Sequence, residues 1–249
     1  MTFDKLPIGS TVGIIGGGQL GKMMAQSAQR MGFKVIVLDP DEACPCQHVA
    51  HDFINAPYDD TEALKQLGER ADVVTYEFEN ISAEQLKDLA ASYNVPQGYE
   101  AITLLQDRLV EKQTLEAAGA SIVPYLELKD AQSLNQAVEE IGYPFMVKTR
   151  FGGYDGKGQI LVQSSDDLDE AKALVSEQDC VAEQYLDLYK EVSLTVTIGN
   201  NDQIVYFPLQ ENEHRNQILF KTIVPSRVDH TENAREQVNK IAQHVHFVG

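Results

Sequence analysis

Along the first hundred residues the apolar positions switch between two periods. Thr11–Ile15 is a short apolar run that ends in glycines, and Lys34–Leu38 and Asp72–Tyr76 are similar runs. Uninterrupted apolar runs of this length suit strands buried on both faces. Between the first two, Leu20, Met23, Met24, Ser27, Ala28 and Met31 recur at helical spacing and place a helix over Gln19–Met31. Ser82, with Gln85 three residues on, has the form of a capping box and opens another helix. Strand–helix–strand order of this kind predicts a parallel sheet joined by right-handed crossovers.

The segment Asn94–Gly98 (NVPQG) interrupts that pattern. A helix is expected from Thr103 to Ala118, stopped by Gly119. The character then changes: strand Ile122–Leu128, helix Ser133–Ile141, strand Phe145–Thr149, a glycine-rich run, strand Ile160–Val162, helix Asp166–Ser176 and strand Cys180–Gln184. This reads as a small α+β unit with a flexible loop at its centre. Glu191–Ile198 and Gln203–Leu209 flank Gly-Asn-Asn-Asp, a hairpin signal. A last helix, Thr231–His246, puts Ala234, Val238, Ile241 and Val245 on one face.

Composition narrows the function classes. The length of 249 residues suits about two domains. Twenty basic against 38 acidic residues leave a net charge of −18, which repels polyphosphate chains and argues against nucleic-acid binding. One small phosphorylated ligand remains compatible, because backbone N–H groups and a few cations can hold an anion locally. No stretch approaches the roughly 18 apolar residues of a membrane span, and MTFDKLPIGS has no signal-peptide apolar core. Cys44, Cys46 and Cys180 form no disulfide framework or zinc spacing. A reducing cytoplasm is therefore expected.

Two glycine-rich loops carry the candidate chemistry. Gly16, Gly18 and Gly21 form G-x-G-x-x-G between a strand and a helix, with Asp39 ending the next strand. Alone this is the dinucleotide-binding fingerprint, and an NAD-dependent oxidoreductase is one reading. The other is that the glycines let helix and strand pack closely, or receive the phosphate or ribose of an acceptor substrate. The methionines behind the loop read as core. The second loop lies in VKTRFGGYDGKGQ (147–159), where Gly152, Gly153, Gly156 and Gly158 can turn N–H groups onto phosphates. Lys148 ends the strand before it. A lone strand-end lysine is ordinarily a solvated charge; the adjoining loop reverses that preference and aims it at phosphate. Glu183, Gln184, Tyr185 and Leu186 end an apolar strand whose backbone edge can read an adenine. Glu191 could accept two ribose hydroxyls, and Arg108 is a candidate nucleotide contact.

The motifs IIGGGQLGKMM (14–24), VTYEFENI (74–81), DRLVEKQTL (107–115), MVKTRFGGYDGKGQ (146–159), VAEQYLD (181–187), EVSLTV (191–196) and YFPLQENEHRNQILFKTIVPSRV (206–228) resemble the ATP-grasp superfamily. Within it, over essentially the whole chain, they look most like the 5-(carboxyamino)imidazole ribonucleotide synthases. The resemblance implies an α/β fold: a Rossmann-like substrate domain over 1–100, an ATP-grasp central domain over 101–187, and an incomplete start of the C-terminal domain over 188–249. It implies ATP- and bicarbonate-dependent carboxylation of 5-aminoimidazole ribonucleotide through carboxyphosphate, with Mg2+, in a homodimer. Another ATP-grasp ligase or a non-catalytic nucleotide-binding protein would keep the ATP residues.

By the same resemblance Arg108, Lys148, Gly153, Tyr154, Asp155, Gly156, Lys157, Gly158, Gln159, Glu183, Gln184, Tyr185, Leu186, Glu191 and His214 would hold ATP. Gly18, Gln19, Leu20, Glu77 and Tyr154 would face the ribonucleotide, and Asp155 with Lys148 would be catalytic. Gln19 stands where the formate-using transformylases carry Glu. The metal ligands are expected beyond Gly249, since Glu211 and Glu213 are expected in a loop, and the chain alone is expected to be nearly inactive.

Overall fold

The computed structural model describes residues 5–152, 158–199, 201–215, 218–245 and 247–249. Two compact units divide near Thr103/Leu104. The first contains β1 (Thr11–Ile15), α1 (Gln19–Arg30), β2 (Lys34–Asp39), β3 (Asp52–Asn55), α2 (Thr61–Arg70), β4 (Val73–Tyr76), α3 (Ala83–Ser92) and α4 (Glu100–Leu105). Its four strands are parallel in the order β3-β2-β1-β4.

Alternation along β1 sends neighbouring side chains to opposite faces. Ile14 joins Ala25, Ala28, Val35 and Val37 in one core, whereas Ile15 joins Leu38, Leu64, Leu67, Val74, Leu86 and Leu89 in another. Helix α1 thus covers one face and α2 and α3 the other, which is why β2 is apolar at consecutive positions. Gly13 on β1 marks a tight approach, since an added Cβ would stand 3.0–3.1 Å from Ala71 and Leu67. The Ser82 signal holds in half: its hydroxyl accepts from the Gln85 N–H at 3.3 Å. The Gln85 side chain reaches the Asp59 carbonyl at 2.6 Å instead of closing the box.

The second unit opens with α5 (Arg108–Ala117). The single helix expected over 103–118 is broken at Gln106 and Asp107, because the Asp107 carboxylate accepts the Leu109 N–H at 2.9 Å and starts a new helix there. Next come β5 (Tyr125–Leu128), α6 (Ala131–Glu140), β6 (Phe145–Thr149), β7 (Gln159–Val162), a 3-10 turn at Ser165–Asp167, α7 (Leu168–Glu177) and β8 (Cys180–Gln184). Strand β5 is shorter than the sequence suggests, since Pro124 has no N–H to add to a ladder. The sheet runs β5-β8-β6-β7 and is antiparallel. One face buries Leu128, Phe145, Val147, Val162, Cys180 and Ala182 against Leu134 and Ala137 of α6 and Ala171 and Val175 of α7.

Five short strands follow: β9 (Glu191–Ser193), β10 (Val196–Ile198), β11 (Ile204–Tyr206), β12 (Gln210–Arg215) and β13 (Ile218–Ile223), before α8 (Thr231–His244). The expected strand 191–198 is split. Its first part pairs with β12 in the sheet β13-β12-β9, and its second pairs with β11. Glu211 and Glu213 lie on β12, not in a loop.

Candidate functional site

In the first unit the glycine loop sits at the carboxyl ends of β1 and β4, where the strand order reverses and open α/β sheets place their ligands. Its amides are already engaged. The Gly17 N–H donates to Asp39 at 2.7 Å. The Gly18 N–H donates to Glu77 Oε1 at 2.7 Å, and the Gly21 N–H donates to Glu77 Oε2. Asp39 also accepts from the Asp41 N–H at 2.8 Å and the Tyr58 hydroxyl at 2.7 Å, and burial followed by that carboxylate pushes the Tyr58 phenol up.

The glycines exist for this closure. Gly16 has φ of +103°, and a Cβ there would overlap the Glu77 side chain. A Cβ on Gly21 would overlap the Gly16 carbonyl oxygen. Two protein carboxylates therefore occupy the place where a dinucleotide pyrophosphate would lie, which removes the oxidoreductase reading of this loop. The Gly17, Gly18 and Gly21 amides are thus all engaged by protein carboxylates. Gln19 and Leu20, both exposed, follow in the first turn of α1, and their N–H groups have no partner among the described residues. Cys44 and Cys46 pack beneath the loop, the Cys46 N–H donating to the Gly17 carbonyl at 2.9 Å. Burial, then the neighbouring Cys44, Glu77 and Asp39, push the Cys46 thiol up to about 12, so it is an inert packing group.

The second unit has the opposite polarity. On β6 the residues Phe145, Val147 and Thr149 face the core, so Lys148 points from the other face. Register places Lys148 opposite Val181, with Glu183 two residues further on the same side. The Lys148 ammonium meets Glu183 Oε2 at 2.9 Å, and Lys112 of α5 meets Oε1 at 3.2 Å. Two ammonium groups share one buried carboxylate. Glu111 lies in the same field; burial pushes its carboxyl up, against the pull of Lys112, Arg108 and Lys148. Arg108, at the start of α5, donates to the Thr149 carbonyl at 2.5 Å.

Arg150 locks the stem of the second glycine loop to that helix. Its guanidinium binds both Asp107 oxygens and Glu127, the latter at 2.8 Å, and the Arg108 N–H donates to the Arg150 carbonyl at 3.0 Å. Burial alone would raise the Asp107 carboxyl; the Arg150 hydrogen bonds overcome this and hold it below the usual carboxylate range. Sequence reasoning missed Lys112 and Arg150. The five-residue spacing from Asp107 and the position two past Lys148 are visible, but their partners are distant in sequence.

Gly158 has φ of +69°, and its carbonyl accepts the Thr149 N–H at 2.9 Å, closing the loop's base. Gln159 lies opposite Lys148 on β7. Gly153, Tyr154, Asp155, Gly156 and Lys157 lie outside the described residues. At the end of β8 the Gln184 and Tyr185 N–H groups donate to the Pro124 and Pro144 carbonyls, at 3.0 and 3.3 Å. Of the expected adenine edge, the Leu186 N–H has no partner among the described residues.

Glu191 pairs with His214 Nδ1 at 3.3 Å beside a cavity of about 280 Å³ that Tyr189, Lys190, Glu211 and Arg227 also line. Glu211 is held by Arg227 and by Lys190, the latter at 2.8 Å, and these cations keep its carboxyl well below the usual range. Lys221 and then Arg215 lower the Glu213 carboxyl. No group of three or more His, Cys, Asp or Glu side chains able to hold a metal ion occurs among the described residues. Carboxylates neutralised this way do not fit Mg2+, which needs free oxygen ligands.

The model of the ribonucleotide synthetase preATP-grasp domain matches residues 9–106, and that of the ATP-grasp domain matches 113–249. The N5-carboxyaminoimidazole ribonucleotide synthase of Staphylococcus aureus strain MSSA476 is 66% identical over 249 residues, 100% of this chain and 67% of the relative. The chain belongs to the ATP-grasp family of N5-carboxyaminoimidazole ribonucleotide synthases. Enzymes of this family are carbon–nitrogen ligases. The crystal structure of the S. aureus synthetase complexed with ADP superposes with a TM-score of 0.98 at 66% identity, over 99% of this chain and 66% of that one. The Aspergillus clavatus synthase, in complex with ADP and 5-aminoimidazole ribonucleotide, gives 0.87 at 28% identity, over 97% and 64%. The chain thus spans about two thirds of the length of these synthases. Among the described residues no helix is long and apolar enough to cross a membrane.

Proposed function

We propose that the chain supplies the nucleotide and ribonucleotide sites for ATP- and bicarbonate-dependent carboxylation of 5-aminoimidazole ribonucleotide in purine biosynthesis. The observation that carries the reading is the pair Lys148 and Lys112 converging on Glu183 at the stem of the second glycine loop. Two cations around one carboxylate leave positive charge for a polyphosphate, and family membership names it as ATP. In this reading the open Leu186 N–H meets adenine, and Glu191 with His214 meets the ribose. Arg108, Gly158 and Gln159 border the phosphates. In the first unit the open Gln19 and Leu20 amides meet the ribonucleotide, held in place by Glu77.

Bicarbonate oxygen attacks the γ-phosphorus of ATP, and the bond to the ADP oxygen breaks. The resulting carboxyphosphate divides into CO2 and phosphate. The exocyclic amine of the ribonucleotide adds to CO2 and loses a proton, with Asp155 as the group that positions or accepts it. Lys148 steadies charge on the transferring phosphate. The reading extends to magnesium as the counter-ion of ATP, to a homodimer and to the cytoplasm, supported by the family and by the reduced cysteines.

Calorimetric titration tests it. ADP and 5-aminoimidazole ribonucleotide should each bind, independently, and any ADP release from ATP should require both bicarbonate and the ribonucleotide. Binding of neither ligand, or ADP release indifferent to the ribonucleotide, overturns the reading.

A further inference from the structure

We infer that Lys112 is a positioning residue that neutralises Glu183, so that Lys148 can leave that carboxylate for the nucleotide phosphates. The inference rests on the nucleotide reading above and adds a residue to it. Glu183 is 11% exposed and Lys112 13% exposed, so neither charge is dispersed by water, whereas Lys148 is 27% exposed and is the member facing outward. If Lys148 were the sole partner of Glu183, moving its ammonium onto a phosphate would strand a buried carboxylate, which is costly. Lys112, at 3.2 Å from the other oxygen, removes that cost. Its stem is fixed: Lys112 lies on α5, which Asp107 caps and Arg150 ties down, and its ammonium sits 5.8 Å from the centre of the Tyr125 ring. Burial also raises the carboxyl of the second acid nearby, Glu111.

The experiment measures ADP affinity by calorimetry for the unsubstituted chain, Lys112→Met, Lys112→Arg, Glu183→Gln and the double Lys112→Met/Glu183→Gln. Coupling energies between contacting charges correspond to about a tenfold change in affinity. Lys112→Met should therefore bind ADP about tenfold more weakly, because Glu183 then holds Lys148 alone, and Lys112→Arg should bind within about threefold of the unsubstituted chain. In the Glu183→Gln background Lys112→Met should change affinity less than about twofold, since no anion remains to retain Lys148.

A tenfold loss that persists in the Glu183→Gln background would show Lys112 touching the nucleotide directly and would overturn the inference. Unchanged affinity in folded Lys112→Met would overturn it as well. Should Lys112→Met alone unfold, the comparison in the Glu183→Gln background decides, because that pair leaves no unpaired buried carboxylate. Failure of the unsubstituted chain to bind ADP would overturn the nucleotide reading, and this inference with it.

Discussion

The two glycine-rich loops of this chain read alike in one dimension and are built with opposite signs. In the first unit the amides of Gly17, Gly18 and Gly21 are turned inward and are closed by Asp39 and Glu77. In the second, the strand that leads into the loop carries Lys148, and the helix beneath adds Lys112, with one carboxylate between them. The first arrangement uses protein anions to satisfy donors; the second leaves cations in excess. A phosphate-binding spacing is thus only an offer of N–H groups. Whether a ligand or the protein takes that offer depends on a residue such as Glu77, 56 positions from Gly21.

The sharpest way to break the comparison is to reopen the first loop. Gly21→Ala drives a methyl group into the Gly16 carbonyl oxygen, which is backbone and cannot yield as a flexible side chain would. Overpacking of this kind costs about 3 kcal/mol, and urea unfolding of the variant should show at least that loss. A change below about 0.5 kcal/mol, the level of a neutral surface substitution, would mean the loop is not closed as described. Next in size is Arg150→Met in the second unit. It leaves Asp107 nearly buried, at 9% exposed, without its partner. The loss should be about 2–3 kcal/mol, below the full buried-pair value because Arg150 itself keeps some water contact. Asp107→Asn combined with Arg150→Met should cost less than the sum of the two single changes; strict additivity would argue against the clamp.

Much of this was legible in the chain itself. The parallel first sheet followed from β1, β2 and β4, each apolar at consecutive positions, and the second sheet from β6 and β8. Lys148, Glu183, Glu191 and His214 were legible through their motifs, and the structure brings them onto the second unit's strands. What escaped has a common cause. Asp107 looked like one more polar residue inside a long helical pattern, and only the capping of Leu109 shows that it begins a new helix. Strand β12 is Gln-Glu-Asn-Glu-His-Arg, with no apolar alternation to announce it; its carboxylates are neutralised by Lys190, Arg227 and Lys221 from other segments and by Arg215 at its own end. Polar strands held by ion pairs carry no periodic signal.

A smaller effect separates the units by acidity. In the second unit Asp107, Glu211 and Glu213 are all held below their ordinary range by neighbouring cations, while among the described residues of the first only Asp52, beside Arg70, is clearly lowered. A carboxylate depressed in the folded state contributes stability above its unfolded pKa of about 4 and loses it as pH falls through the folded value. Glu111, which is raised, works in the opposite sense, but it is one group against three. Hydrogen exchange followed peptide by peptide from pH 7 down to pH 3 should therefore show β6, β8 and β12 losing protection before β1, β2 and β4. The reverse order would mean that these ion pairs do not stabilise the second unit.

The smallest expected effect is the absence of one. NAD should not stabilise the chain, although the first loop carries the full G-x-G-x-x-G spacing. To bind, the pyrophosphate would have to displace Glu77 from the Gly18 and Gly21 amides and lie beside that carboxylate and Asp39. Both steps are unfavourable, one through lost charge-assisted hydrogen bonds and the other through repulsion between like charges. At Lys148, ADP draws one ammonium from Glu183, which keeps Lys112 as its partner. A ligand at a hundred times its dissociation constant stabilises the folded state by about 2.7 kcal/mol, equivalent to a rise of about 5–10 °C in melting temperature for a chain of this size. Thermal melts with ADP should show that rise, and melts with NAD at the same concentration should overlay the ligand-free curve. If NAD also raised the melting temperature, Glu77→Ala would locate its site. Stronger stabilisation by NAD in that variant would show that the carboxylate had been competing for the loop, and equal stabilisation would place NAD on the lysine-bearing unit through its adenosine half.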